Sequence, residues 1–177
     1  MVSQSPVRLD ADLRLRYDAP VGPTVYIETT IISYLTARPS KDLVQRAHQR
    51  LTRTWWRNRR SRFELYVSPL VLQEAAAGDP VRARRRLTVL EGVPVLGPTP
   101  DAIQLAHSLM NRGPLPKNAE VDALHIAIAA VHGIEYLLTW NCTHIANAQM
   151  RSKIEAVCRL ENYEPPVLCT PEELMED

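Results

Sequence analysis

An α/β fold, a three-layer α/β/α sandwich with a central parallel sheet, follows from two features of the sequence. Short β-branched or aromatic runs (TVYI at 24–27, FELYVS at 63–68, YLLTW at 136–140, PVLC at 166–169) recur along the chain. Stretches with helical periodicity separate them, and strands alternating with helices argue for βαβ units and parallel pairing.

Each element has a local justification. TVYI follows Gly22-Pro23, as a buried strand begins, and a helix over 31–35 comes after it. Over 41–60, Leu43, Ala47, Leu51 and Trp55 repeat every four residues, the stripe of a helix covering a sheet. FELYVS is the second strand; Pro69 opens a helix to residue 77, which Gly78 closes. Asp79-Pro80 starts the next helix, to residue 90. A short strand at 94–96 and a helix from Thr99-Pro100 to residue 112 precede the loop GPLPKN. The strongly apolar helix over 119–132, ended by Gly133, reads as interior. YLLTW, a mostly helical stretch over 142–160, PVLC and an acidic tail helix complete the chain. There are no internal repeats and no low-complexity linkers.

The chain has 177 residues, enough for one sizeable core but not for a second catalytic domain. The expected division is an N-terminal extension over 1–23 and one domain over 24–177. With 21 Lys and Arg against 20 Asp and Glu, net charge +1 excludes a protein whose affinity rests on overall charge alone. Cys142, Cys158 and Cys169 have neither CxxC spacing nor a zinc-site pattern, so reduced thiols are expected. No signal peptide or membrane span is expected, and the location expected is the cytoplasm.

In open parallel sheets, ligands bind beyond the carboxyl ends of the strands. Four oxygen-bearing residues fall there: Glu28 after the first strand, Glu74 one turn into the helix after the second, Asp122 in the first turn of the apolar helix, and Asn141 after YLLTW. Converging carboxylates repel unless a cation lies between them, and oxygen ligands suit Mg²⁺ or Mn²⁺. That is the chemistry of metal-assisted phosphodiester hydrolysis. Simpler roles stand beside it. Glu28 could cap a helix, as could Thr29 or Thr30; Glu74 could be a solvated acid; Asp122 could answer the helix dipole. An unpaired charge opening so apolar a helix would nevertheless be costly. His125 and His144, three residues after Asp122 and Asn141, are further candidates near the site, and Cys142 is expected to be a packed thiol.

The segments VYIETTIISYL, VLQEAAAGDP, VDALHIAIAAVHG and YLLTWNCTHIANA, in this order, resemble the PIN-domain family, in the branch of VapC-like toxin ribonucleases. The resemblance runs from about residue 25 to 174. It implies an α/β/α fold and RNA cleavage at an acidic cluster holding Mg²⁺ or Mn²⁺. Glu28, Glu74, Asp122 and Asn141 would stand at its four positions, with the first three catalytic and Thr29 supplying a supporting hydroxyl. A cognate antitoxin and a homodimer are implied as partners. Two departures matter: the first position is usually Asp, here the longer Glu28, and the fourth is commonly acidic, here the neutral Asn141. Glu120 could compensate only if the helix starts after it, since two residues along a helix point about 200° apart.

Seven arginines and no acid lie between Leu43 and Phe63, and Arg82, Arg84, Arg85 and Arg86 form a second cluster. With Trp55 and Trp56 interleaved in the first, Arg57, Arg59 and Arg60 are expected to contact RNA. A partner's acidic segment is the competing use. Residues 161–177 carry six acids and no base, so the neutral total conceals segregated charge. Three functional classes result: a metal-dependent endoribonuclease, the toxin of a type II pair; a PIN-fold binding module whose metal site has been lost; and a nucleotide-binding domain. The last is disfavoured, because neither GxGxxG nor a P-loop occurs in a chain with six glycines.

Overall fold

The β-branched and aromatic runs lie side by side in the computed structural model, which describes residues 22–175. The extension expected over 1–23 falls outside these residues except for Gly22 and Pro23. β1 (Thr24–Ile27), β2 (Glu64–Tyr66), β3 (Tyr136–Leu138) and β4 (Val167–Cys169) form one sheet in the order β2-β1-β3-β4. All pairings are parallel; Val25 stands level with Leu65 on one side and Tyr136 on the other. All four carboxyl ends therefore meet at one edge.

Among the described residues seven α-helices flank the sheet: α1 (Thr29–Thr36), α2 (Leu43–Asn58), α3 (Pro69–Ala76), α4 (Pro80–Leu90), α5 (Pro100–Asn111), α6 (Glu120–Val131) and α7 (Ala148–Leu160). α1 to α4 pack together, as do α5 to α7. This is the α/β/α arrangement expected. Side-chain caps set most helix starts: Asp42, Ser68, Asp79, Thr99 and Asn147 each accept from a backbone N–H of the first turn. Pro69, Pro80 and Pro100 occupy first turns, where a missing N–H costs nothing. Gly133, at φ +66°, lets the chain turn out of α6.

Several local expectations are corrected. α1 starts at Thr29 rather than residue 31, because Glu28 caps it. Residues 94–96 form no strand of their own; they meet β2's end at a single bridge, Val67 to Val95. In 142–160 the helix begins only at Ala148, and residues 171–174 are turns rather than a tail helix. The α2 stripe is half right. Trp55 is fully buried, whereas Leu43 is 77% exposed; the rest of the buried face is Gln49 and Thr52. Their polarity is accounted for: Gln49 accepts from Ser40 N–H and donates to Arg38 O, and Thr52 accepts from Trp140 Nε1. α6 is interior as expected, with an unbroken buried run from His125 to Ala130.

Two arginines of the basic clusters serve the fold. Arg53 donates to Leu35 O and Ala37 O, and Arg86 to Ala75 O and Ala77 O. Each guanidinium satisfies carbonyls at the carboxyl end of a short helix, α1 or α3, where a cation also suits the dipole. These are the two helices that carry candidate acids, Glu28 as the cap of α1 and Glu74 in the last turn of α3.

Candidate active site

Glu28 leaves β1 with its backbone N–H bonded to Leu138 O, which fixes it between β1 and β3. Its Oε2 accepts from Thr30 N–H at 3.1 Å, from the Thr30 hydroxyl, and from Thr139 Oγ1 at 2.7 Å. Those hydroxyls are themselves held: Trp140 N–H donates to Thr30 Oγ1 and Asn141 N–H to Thr139 Oγ1. Glu28 thus caps α1, the simpler role foreseen for it, while the residue is only 5% exposed and its carboxylate lies close to Glu74.

Glu74 approaches from α3. Its Oε2 accepts from Thr29 Oγ1 at 2.5 Å and sits 3.1 Å from His125 Nε2. Burial pushes its pKa up, but the hydrogen bonds from His125 and Thr29 outweigh this and leave it below the usual value, so the carboxylate is ionised. Glu28, Glu74 and His125 place one ligand atom each within 4.8 Å of the others. In both glutamates the hydrogen bonds fall on Oε2, and among the described residues none falls on Oε1. Two carboxylates with one oxygen each tied back and one open match what a hard divalent cation takes.

Asp122 belongs to an adjoining group. Its Oδ1 accepts from Asn141 Nδ2 at 2.9 Å and its Oδ2 lies 2.7 Å from His144 Nδ1. The His144 backbone N–H donates to Asn141 Oδ1, closing the triangle. The third and fourth sequence positions therefore meet each other, and they connect to Glu28 through Thr139. His125 and Asp122, one turn apart on α6, join the two groups. Glu120, the first residue of α6, is exposed and stands apart from both. Cys142 is exposed rather than packed; partial desolvation by its neighbours and the Glu173 charge raise its pKa, so it stays a thiol.

The arginines line two separate cavities. Arg57 and Arg60 line a cavity of about 410 Å³ with Trp56, and Arg60 lies 4.8 Å from the Trp56 ring centre. Arg59 precedes the 3₁₀ turn Arg60–Arg62, which leads into the amino end of β2. These three therefore stand at the amino edge, opposite the acids. A second cavity, of about 640 Å³, runs along α1 and is lined by Tyr34, Arg38, Arg82, Arg85 and Arg86. Tyr34 is one turn from Thr30 and neighbours the stacked pair His48 and Trp140, whose rings are 4.0 Å apart.

Thr30, Thr139, Tyr26 and Ser68 also belong to the site, although sequence reasoning gave them no part in it. Thr30 was legible as a cap alternative; the others carry no local signal.

No curated protein matches the chain. Among solved structures, VapC20 of Mycobacterium tuberculosis, a sarcin-ricin loop cleaving toxin, shares 19% identity at TM-score 0.49 over 64% of this chain and 86% of its own. VapBC2 of Rickettsia felis, bound to a DNA fragment from its promoter, shares 15% at TM-score 0.49 over 68% and 89%. The PIN domain signature matches residues 25–141, well over half of the sequence, and the chain belongs to the PIN-domain family.

Proposed function

We propose that the protein is a metal-dependent endoribonuclease that hydrolyses RNA phosphodiester bonds, acting in the cytoplasm as the toxin of a type II toxin-antitoxin pair. The observation that carries this reading is the paired carboxylates of Glu28 and Glu74, each with one oxygen tied back by hydroxyls and one open. Glu28 and Glu74 would hold Mg²⁺ or Mn²⁺. When bound, the cation would offset their repulsion, polarise the scissile phosphate and acidify water. The chain's own contribution is placement: Thr29, Thr30 and Thr139 fix the carboxylate orientations, and Asp122 orients Asn141 and His144 at the border of the pair. A cognate antitoxin and a second copy of the chain are the partners proposed.

The test is an RNA cleavage assay on purified protein with Mn²⁺ or Mg²⁺, with chelator, and with Asp122→Asn. Cleavage should need the metal and fall about 10–100-fold in the variant, as for loss of a residue orienting its neighbours. Equal cleavage by wild type and variant would remove Asp122 from the site. A second reading, a PIN-fold binding module without chemistry, is favoured by one observation: Asp122 is engaged by Asn141 and His144 rather than grouped with the glutamates. Absence of heat on titration with millimolar Mn²⁺ would select it.

The RNA strand entering the site is proposed to lie in the cleft along α1. Arg38, Arg82 and Arg85 are exposed there, and no described carboxylate pairs with their guanidiniums. Arg57, Arg59 and Arg60, at the far edge, are proposed to contact only an RNA long enough to pass around β2. For a short single strand, Arg82→Ala with Arg85→Ala should weaken binding and flatten the log-log salt dependence by about 0.7 per lost contact. Arg57→Ala with Arg60→Ala should leave both unchanged; fluorescence anisotropy across a salt series distinguishes the pairs.

A further inference from the structure

A buried chain of hydrogen bonds reaches Glu74 from the start of α3. Val71 N–H donates to Ser68 Oγ at 3.4 Å, Ser68 Oγ lies 2.6 Å from Tyr26 Oη, and Tyr26 Oη lies 2.7 Å from His125 Nδ1. His125 Nε2 then meets Glu74 Oε2. Ser68 and Tyr26 are fully buried and His125 is 1% exposed, so solvent cannot substitute for any link.

The ends of the chain determine its direction. Glu74 Oε2 already accepts from Thr29 Oγ1, and a carboxylate oxygen only accepts, so Nε2 must carry the hydrogen. In a neutral imidazole Nδ1 is then an acceptor, which makes Tyr26 the donor. Tyr26 Oη in turn accepts from Ser68, whose oxygen accepts from Val71. Each hydroxyl is used once as donor and at least once as acceptor. The reverse direction, with Nδ1–H donating to Tyr26 and Tyr26 to Ser68, leaves the Ser68 hydrogen without an acceptor among the described residues. With a neutral ring it also sets a bare Nε2 against a carboxylate.

We propose that Tyr26 is a positioning residue: by donating to His125 Nδ1 it holds the Nε2–H tautomer, which turns Glu74 so that Oε2 is tied and Oε1 is left for the cation. This rests on the metal-site reading above. It makes His125 an orienting group rather than a ligand, since both ring nitrogens are already engaged. The phenol is on β1, two residues before Glu28, which follows the strand, so β1 and its exit supply both the first carboxylate and the device that aims the second.

The experiment is long-range ¹H–¹⁵N NMR of the His125 ring at neutral pH in the full chain without metal, beside Mn²⁺ calorimetry and thermal melting. Wild type should show the Nε2–H tautomer. Ser68→Ala should keep it, because Tyr26 can still donate. Tyr26→Phe should lose it and bind Mn²⁺ about 10–100-fold more weakly, the usual effect of removing a ligand's orienting partner. An Nδ1–H or doubly protonated ring in wild type would overturn the proposal, as would Tyr26→Phe with the tautomer and Mn²⁺ affinity both intact. Wild type showing the expected tautomer but no Mn²⁺ binding would overturn the metal-site reading and, with it, the cation half of the proposal. The tautomer measurements bear on Tyr26 independently of the metal, and the wild-type ring alone can overturn its role even where Tyr26→Phe fails to fold.

Discussion

Glu28→Gln should abolish Mn²⁺ binding and reduce RNA cleavage by at least about three orders of magnitude, while the metal-free protein melts no lower than wild type. The reasoning separates two roles of one side chain. As the α1 cap, Glu28 needs only an acceptor oxygen for Thr30 N–H, and the glutamine amide retains one. As half of a carboxylate pair it carries a charge beside Glu74, and without a cation that charge is repulsive. Substitution therefore relieves the metal-free site and disables the loaded one. Wild type should gain stability with Mn²⁺, about 2.7 kcal/mol at a hundred times Kd, and the variant should gain none. Equal shifts on adding Mn²⁺ would show that Glu28 is a cap and nothing more. The loss in cleavage exceeds that expected for Asp122→Asn because a direct ligand is removed rather than an orienting neighbour.

Trp55→Ala should cost about 3–5 kcal/mol, the largest stability effect of the single substitutions considered. Trp55 is the one large hydrophobic side chain fully buried on α2, because the rest of that helix's buried face is Gln49 and Thr52. Its ring packs against Phe63 and Trp56 at 5.6 and 6.3 Å. Losing it frees α2 from the core at the end nearest β2. The damage should reach the site, because Thr52 accepts from Trp140 Nε1 and the Trp140 N–H holds the hydroxyl that ties Glu28. Trp55→Phe is the control. It keeps an aromatic ring and removes an indole N–H that is buried without an acceptor among the described residues, so it should cost well under half as much. Denaturant unfolding of the two variants checks this; equal losses would mean that ring burial is not what anchors α2.

The sequence determined the four strands of the sheet and the starts of α3, α4 and α5. β-branched runs, proline at first turns and capping residues act within a few positions, so their physics is written locally. Parallel pairing followed from alternation, because parallel strands need a crossover between them. Local signals failed where packing, rather than periodicity, decided what was buried. Leu43 continues the helical stripe of α2 yet is exposed, because the burial needed near it is met by Gln49 holding the 38–40 loop. Residues 94–96 look like a strand but contribute a single bridge.

Only the tertiary structure decided how the site is divided. Four positions read from the sequence as one cluster separate into Glu28 with Glu74 and Asp122 with Asn141, and two histidines are distributed between them. The contacts responsible span 45 residues from Thr29 to Glu74, 99 from Tyr26 to His125 and 111 from Thr139 to Glu28. No periodicity encodes which hydroxyl will face which carboxylate, because that depends on how two distant strands and two helix starts are aligned. The same holds for the arginines: sequence shows that they cluster, while strand direction places Arg57 and Arg60 at the edge opposite the acids and the Arg82 and Arg85 cleft beside α1. Residue chemistry is local and site geometry is not, because a hydrogen bond is made across space after the sheet has set the distance.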